Sequence, residues 1–379
     1  MNILVLGAGR MGHGAVFDLV RNGSEVVSVT VADADLKKAE VVSELTDASK
    51  VTPHRIDVAN NSDVADLMKS HDAVISCVNY WHNLELTKTA ISTGTHFCDL
   101  GGNNYVVDSQ LKLNDQAKAS GLSVIPDCGL APGMVSILAM HGVKRFDSVD
   151  EIHLRVGGLP QNPKPPLDYQ LVFSVEGLIN EYIEPARVIR DGKVAEVESM
   201  TEIEALEFAG FPELEAFQTS GGTSTLPDTF LGKVKTLDYK TIRYKGHCNR
   251  FKAMIDLGLC SSEEMDINGK AFVPRKVFAG LLERNVPSDG LDLVLVRVEV
   301  VGSKAGKTSK ITFDIIDKAD ESTGLSAMMR MTAFPASIIA QMMVRGDVTQ
   351  RGAVPQEIAI DSDTFVKELG ARRIVVIER

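Results

Sequence analysis

The residues best equipped for chemistry stand at the start of the chain, where the apolar run Ile3 to Leu6 feeds into Gly7-Ala8-Gly9-Arg10-Met11-Gly12. A strand entering a glycine turn that opens a helix can hold a dinucleotide's pyrophosphate, because the unpaired N–H groups of the first helical turn face the anion. Gly7 permits the tight turn, Gly9 lets backbone approach phosphate, and Gly12 lets the helix pack closely on the sheet. A second apolar segment, Glu25 to Ala32, delivers Asp33 at its end, 21 positions beyond Gly12. That is close to the ~20 at which a carboxylate takes the adenosine ribose hydroxyls. Asp33 repels a 2′-phosphate and no arginine follows it directly, so NAD is the expected cofactor rather than NADP.

In an open parallel sheet, ligands bind outside the carboxyl ends of the strands, so the residues following each strand locate the site. Asp57-Val58 follow the third strand and suit an adenine edge. Cys77-Val78-Asn79, then Tyr80-Trp81-His82, follow the fourth, beside the expected nicotinamide. The cofactor set is therefore Gly7, Gly9, Arg10, Met11, Gly12, Asp33, Asp57, Val58, Cys77, Val78 and Asn79. Asp99 follows the fifth strand, and Asp127-Cys128-Gly129 the sixth. Each has a plainer alternative: Asp99 as a cap on the turn at Gly101-Gly102, Asp127 as a helix-entry cap, Cys128 as a small buried filler. Trp81 is expected to pack, and His82 and His96 to be structural.

Two later segments stand out. Val156-Gly157-Gly158-Leu159-Pro160 reads as a turn whose amides could meet a carboxylate, or as a rigid crossover. Lys240-Thr241-Ile242-Arg243-Tyr244-Lys245-Gly246-His247 reads as a strand ending in a cationic turn, with Arg243 and Lys245 on one face. The Arg243 fork could hold an α-carboxylate bidentately, and His247 could help move a proton; the alternative is a solvated edge.

These residues need elements to carry them. Strand and helix alternate with short connections through six strands to about residue 126, which predicts a doubly wound parallel sheet, a Rossmann α/β unit. Longer strands of period two follow at Glu151 to Val156, Leu293 to Val301 and Lys310 to Asp317, the last two joined by a loop at Gly302 to Lys307. They predict a second, mixed α/β domain with an open sheet that walls the substrate. Met134 to Val143 is expected to link the two domains, and an apolar helix Ala336 to Val344, started by Pro335, to return the chain to the first. The expected boundaries are 1–126 with a return at 331–379 for the nucleotide-binding domain, and 127–330 for the substrate and dimerisation domain.

Composition narrows the class. With 379 residues, 44% apolar, the chain can furnish two cores, and a net charge of −11 opposes nucleic-acid binding. Five cysteines at irregular spacings give neither a disulfide framework nor a metal site. No signal peptide is read at the start and no apolar run approaches the ~20 residues of a membrane span, so a cytoplasmic protein is expected. A methyltransferase also uses a glycine turn with an acid after strand two, but lacks so long a second domain. A non-catalytic NAD-binding protein could keep Gly7 to Gly12 and Asp33, but has no need for polar residues after strands four to six.

GAGRMG, PDCGLAPG, VGGLP with PKPPLDY, VFSVEGLINEY, KTIRYKGH and TGLSAMMRMTAFPASI occur in order along nearly the whole chain. In these segments the chain resembles the saccharopine dehydrogenase family, most closely its L-lysine 6-dehydrogenase type. The resemblance implies a Rossmann domain, NAD, hydride transfer at a carbon bearing an amine, an amino-acid substrate, and a homodimer or larger assembly. It leaves lysine, saccharopine and polyamine precursors open as substrates. For a terminal amine, the expected reaction is oxidative deamination, with Asp99 or Asp127 orienting the ammonium, Cys128 beside the nicotinamide, His247 assisting the proton and Arg243 holding the α-carboxylate.

Overall fold

Short segments alternating with helices become the strands of the first unit, as the sequence rhythm predicts. The computed structural model describes residues 1–379. In chain order come β1 (Asn2–Leu6), β2 (Ser28–Asp33), β3 (Val51–Arg55), β4 (Ala73–Ser76), β5 (His96–Asp99) and β6 (Ser123–Ile125). Next are β7 (Ser148–Pro160), β8 (Ala186–Arg190), β9 (Lys193–Val197), β10 (Glu204–Leu206), β11 (Leu214–Gln218) and β12 (Thr236–Tyr244). The remainder are β13 (Met265–Ile267), β14 (Lys270–Phe272), β15 (Asp292–Lys304), β16 (Lys307–Lys318), β17 (Gly352–Ala353) and β18 (Ile377–Glu378).

The first unit comprises residues 1–145, 224–226 and 329–376. Its sheet is parallel throughout, in the order β17-β6-β5-β4-β1-β2-β3, so the chain reverses direction of growth on either side of β1. Ile3, Leu4, Val5 and Leu6 are all fully buried, as a parallel strand covered on both faces requires. The seventh strand, β17, is two residues long and carries no period that a sequence reading could detect.

Helix Met134–Val143, expected as a linker, belongs to this unit. It buries Met134, Val135, Ile137, Leu138 and Ala139, the all-round apolar character of a core helix. The helix expected to begin after Pro335 instead runs through it, Ala327–Arg345. Its 19 residues are long and apolar enough to cross a membrane, yet 83% of its apolar window is buried inside the protein.

The second unit comprises residues 146–223, 227–328 and 377–379. Its nine-stranded mixed sheet follows β10-β11-β12-β7-β15-β16-β18, with β8 joined to β12 and β9 to β8; β13 and β14 form a separate pair. β12 and β7 run parallel, and the other pairs of this sheet are antiparallel. The loop expected at 302–307 contracts to Ala305 and Gly306, with φ of 51° and 76°, the double positive φ that suits a two-residue hairpin.

The Gly157-Gly158 turn is not present, because both residues lie inside β7. A Cβ at Gly157 would come 2.4 Å from the Ile242 carbonyl oxygen, and one at Gly158 would come 2.5 Å from the Met328 methyl. These glycines admit neighbours rather than a ligand.

Along β12, Tyr239, Thr241 and Arg243 point to one face, and Asp238, Lys240, Ile242 and Tyr244 to the other. The first face packs into a core that includes Tyr169, Leu178, Tyr182, Phe217 and Phe251. The second carries a charge network in which Arg155 meets Asp238 at 2.8 Å and Lys240 meets Glu204 at 2.8 Å.

In the first unit a buried ion pair closes helix Arg10–Asn22. The Arg372 Nε lies 2.7 Å from Asp18 Oδ1, and Ser337 Oγ donates to Asp18 Oδ2 at 2.6 Å. Removing the cation leaves a carboxylate with no access to water, so Arg372→Met is expected to lose about 3–5 kcal/mol of stability. Urea unfolding checks this, and Asp18→Asn combined with Arg372→Met should recover part of the loss.

Candidate functional site

The glycine turn is built by close approach. Gly7 has φ of 97°, and a Cβ there would stand 2.9 Å from the Cys77 carbonyl oxygen. A Cβ on Gly12 would come within 1.8 Å of the Gly7 carbonyl oxygen, so only glycine lets the helix start where it does. Nothing lies within 4 Å of the corresponding position at Gly9, and no side chain caps the helix it precedes. An open backbone at an uncapped helix N-terminus fits a pyrophosphate. Arg10 and Met11 form the helix's first turn.

Asp33 ends β2 with its carboxylate engaged twice, accepting from Ala8 N at 2.8 Å and from Asp35 N at 2.9 Å. Beside it lies a cavity of about 230 Å³. Of the expected cofactor residues, Asp33, Asp57, Val58, Val78 and Asn79 line it. Cys77 does not; burial drives its thiol far above the usual range, and its peptide supports Gly7 instead. His82, expected to be structural, also lines the cavity. Only its place after β4 hinted at this, since a lone histidine has no distinguishing neighbours in sequence. Trp81, expected to pack, is 58% exposed.

Asp99, Asp127 and Cys128 do come together in the first unit, but in unequal roles. Asp99 is fully buried and satisfied: Oδ1 accepts from Gly101 N at 2.7 Å and Asp127 N at 3.2 Å, and Oδ2 from Gln110 Nε2 at 2.7 Å. It is the turn-organising residue of the plainer alternative, its carboxylate taken up by the Gly101 turn, the Asp127 amide and Gln110. Cys128 is also fully buried; its thiol donates to the Ile125 carbonyl at 3.2 Å and is held well above its ordinary pKa by desolvation. It fills space.

Asp127 differs. It adopts φ of 60°, a left-handed conformation that aspartate tolerates better than most residues. Its Oδ2 accepts from Ser224 Oγ, and the next hydroxyl, Thr225 Oγ1, donates to Glu357 at 2.9 Å. Burial first, then the Asp99 charge, pushes the Asp127 carboxyl up to about 8. Residues 224–226 were not anticipated, because nothing in a Gly-Gly-Thr-Ser-Thr stretch shows which unit it will join.

In the second unit the cationic segment divides. β12 ends at Tyr244, and Lys245 lies outside it, exposed and paired with Glu213 at 2.7 Å. Arg243 is buried, its guanidinium carbon 4.8 Å from the Tyr169 ring centre and 5.8 Å from that of Tyr182. Its Nε donates to the Tyr182 hydroxyl at 2.9 Å and its Nη1 to the Ile242 carbonyl at 2.9 Å.

His247, expected to move a proton, is fully buried with both ring nitrogens engaged, Nδ1 at 2.9 Å from the Leu167 carbonyl and Nε2 at 3.1 Å from the Tyr182 hydroxyl. Burial and then the Arg243 charge lower its pKa to about 3. It stays neutral and serves the packing around Arg243.

Residues 3–125 match the saccharopine dehydrogenase NADP binding domain, and residues 129–375 the saccharopine dehydrogenase C-terminal domain. The Saccharomyces cerevisiae protein named saccharopine dehydrogenase [NADP(+), L-glutamate-forming] is 25% identical over 285 residues, 71% of this chain and 60% of its own length. The chain thus spans about three-fifths of that relative. A Vibrio cholerae carboxynorspermidine synthase is 22% identical over 97% of this chain and 94% of its own length. Among solved structures, apo saccharopine dehydrogenase (L-Glu forming) from S. cerevisiae superposes with a TM-score of 0.82 at 20% identity, covering 100% of this chain and 99% of that one.

The steric argument at the glycine turn has a direct consequence. Gly12→Ala forces the helix away from Gly7, and dinucleotide affinity is expected to fall at least about tenfold, ~1.4 kcal/mol. Titration of reduced dinucleotide by fluorescence measures it; unchanged affinity would refute the placement.

Proposed function

The chain belongs to the saccharopine dehydrogenase family, and from that premise we propose a pyridine-nucleotide-dependent oxidoreductase that oxidises an amine-bearing carbon of an amino acid. The substrate we favour is L-lysine, oxidised at its 6-amine to the semialdehyde. The observation that carries this is the state of the cations in the second unit. Lys245 is paired with Glu213, Arg250 with Asp168, Arg187 with Asp228, and Arg190 with Glu202. Arg243 has no carboxylate in ion-pair contact and sits buried in an aromatic cage. Of the two buried guanidiniums in this unit, Arg155 is paired with Asp238 and Glu204 and only Arg243 has no carboxylate in contact, which suits a substrate with one carboxylate better than saccharopine, which carries three.

Asp33, Ala8 and the first turn of helix Arg10–Asn22 would hold the dinucleotide, whose nicotinamide supplies the hydride acceptor. The rest falls to the protein. A lysine-type amine has a pKa of about 10.4, and it must lose a proton before its carbon can release hydride. The carbon–nitrogen bond then becomes an iminium, water adds, and ammonia leaves to give the aldehyde. Asp127, raised to about 8, is the residue best suited to take the amine's proton.

A second reading has its own support: the V. cholerae relative matches over nearly its full length, and a carboxynorspermidine-type substrate also carries one carboxylate. Following nicotinamide absorbance with L-lysine, saccharopine and carboxynorspermidine separates the readings. Reduction with none of them would leave a dinucleotide-binding protein without this activity.

Two further outcomes are expected. Asp33 and Asp57 both line the cofactor cavity, and two carboxylates oppose a 2′-phosphate. NAD should therefore be preferred to NADP by at least about tenfold in kcat/KM, and Asp33→Ala should shrink that ratio. The second concerns pH. Below about 8 Asp127 holds its proton and cannot accept another, so activity should climb from pH 7 to 10, and Asp127→Asn should abolish the part of the rise near pH 8. The sign for stability is opposite: an aspartate that ionises at 3.8 when unfolded and about 8 when folded makes the native state less stable as pH rises between those values.

A further inference from the structure

We infer that Glu181 and Tyr169 complete, together with Arg243, a recognition site in the second unit that reads the α-ammonium and α-carboxylate of an L-amino acid as one zwitterion. The inference rests on the amino-acid substrate class proposed above.

Glu181 lies on helix Val175–Ile183, which buries Val175, Leu178, Ile179 and Tyr182. At helical spacing it falls on the flank of that apolar arc, beside Tyr182. Its backbone carbonyl is anchored by Ser220 N at 3.0 Å. Its half-buried carboxylate has no hydrogen-bond partner and acts electrostatically on Tyr169, Tyr182, Tyr239 and Arg243.

Two more polar groups at this point lack partners. Arg243 uses Nε and Nη1 on Tyr182 and Ile242, which leaves Nη2. The Tyr169 hydroxyl is buried with no partner, although its ring lies against the Arg243 guanidinium. Glu215, opposite Arg243 in the sheet, makes no ion pair with it; its oxygens accept instead from Gly246 N at 2.9 Å and Cys248 N at 2.7 Å.

Buried polar groups are normally paired, and leaving them unpaired is costly. A carboxylate without an amine would satisfy Arg243 and Tyr169 but meet repulsion from Glu181. An amine without a carboxylate would satisfy Glu181 and be repelled by Arg243. An α-amino acid satisfies all three at once, with its carboxylate on Arg243 and Tyr169 and its ammonium on Glu181.

The test is calorimetric binding to the intact protein. L-Norleucine carries the α-zwitterion without a terminal amine; 6-aminohexanoate keeps the terminal amine and the carboxylate but lacks the α-amine. L-Lysine and L-norleucine should each bind at least about tenfold tighter than 6-aminohexanoate. Glu181→Gln should weaken the first two by at least that factor and leave 6-aminohexanoate unchanged, with Glu181→Asp restoring part of the loss. Equal binding of L-lysine and 6-aminohexanoate to the unaltered protein overturns the inference, and that comparison needs no variant to fold. Unchanged L-norleucine affinity in Glu181→Gln overturns it as well. Glu181-dependent binding of L-norleucine without nicotinamide reduction by any amine would sink the proposed oxidation and leave this site standing. Oxidation of L-lysine with no preference for the α-amine would do the reverse.

Discussion

The bond from the Ala8 amide to the Asp33 carboxylate, 2.8 Å long, ties the end of β2 to the glycine turn that follows β1. The glycine turn is tethered to the sheet through it. The turn can close only because Gly7 presses on the Cys77 peptide and Gly12 on the Gly7 carbonyl. Those contacts in turn seat the helix N-terminus against the sheet, at the point where the strand order changes direction. The same carboxylate thus fixes the corner from inside and presents charge along one wall of the adjacent cavity. An amide at this position could not accept two backbone N–H bonds with equal strength, and charge-assisted bonds are roughly twice as strong as neutral ones.

The second unit is organised around a different constraint, a guanidinium held away from water. Desolvation alone would expel the charge, but Arg243 lies over two phenol rings and donates to Tyr182 and Ile242. Cation–π contact is worth more when desolvated, on the order of 2 kcal/mol. The retained charge then sets its neighbours. It helps hold His247 neutral, and it opposes the burial that raises Glu181 to about 7. The charge network on the opposite face of β12 is a separate device, in which every cation already has an acid.

What could be read from the sequence tracks how local the signal is. The glycine turn, Asp33 and the strands through β6 are each specified within a few residues, by period, turn chemistry or spacing, and the structure has them. The domain limits are less local: the first unit extends to residue 145 and takes in 224–226, which packing decides and composition does not show. Gly157-Gly158 lies inside β7 and not in a turn; glycine signals a turn and a close approach equally well, and only the partner, Ile242, distinguishes them. His247 sat convincingly in a cationic motif, yet a motif does not reveal that both ring nitrogens will be used internally. Glu181 was invisible for the opposite reason. A glutamate on a helix flank looks solvated until the tertiary fold brings Arg243 and Tyr169 to it.

Asp99 and Asp127 looked interchangeable in sequence, each following a strand and preceding a glycine-containing turn, and the structure separates them by donor count. Burial raises the Asp99 carboxyl above its ordinary range, and the three N–H groups that converge on it offset only part of that shift. Asp127 receives one hydroxyl, from Ser224, and feels the Asp99 charge as well. The backbone links them further: Asp99 Oδ1 accepts from Asp127 N and its carbonyl oxygen from Cys128 N at 2.7 Å, which holds Asp127 in its left-handed conformation. Asp99 therefore acts through Asp127, setting both its geometry and its affinity for a proton.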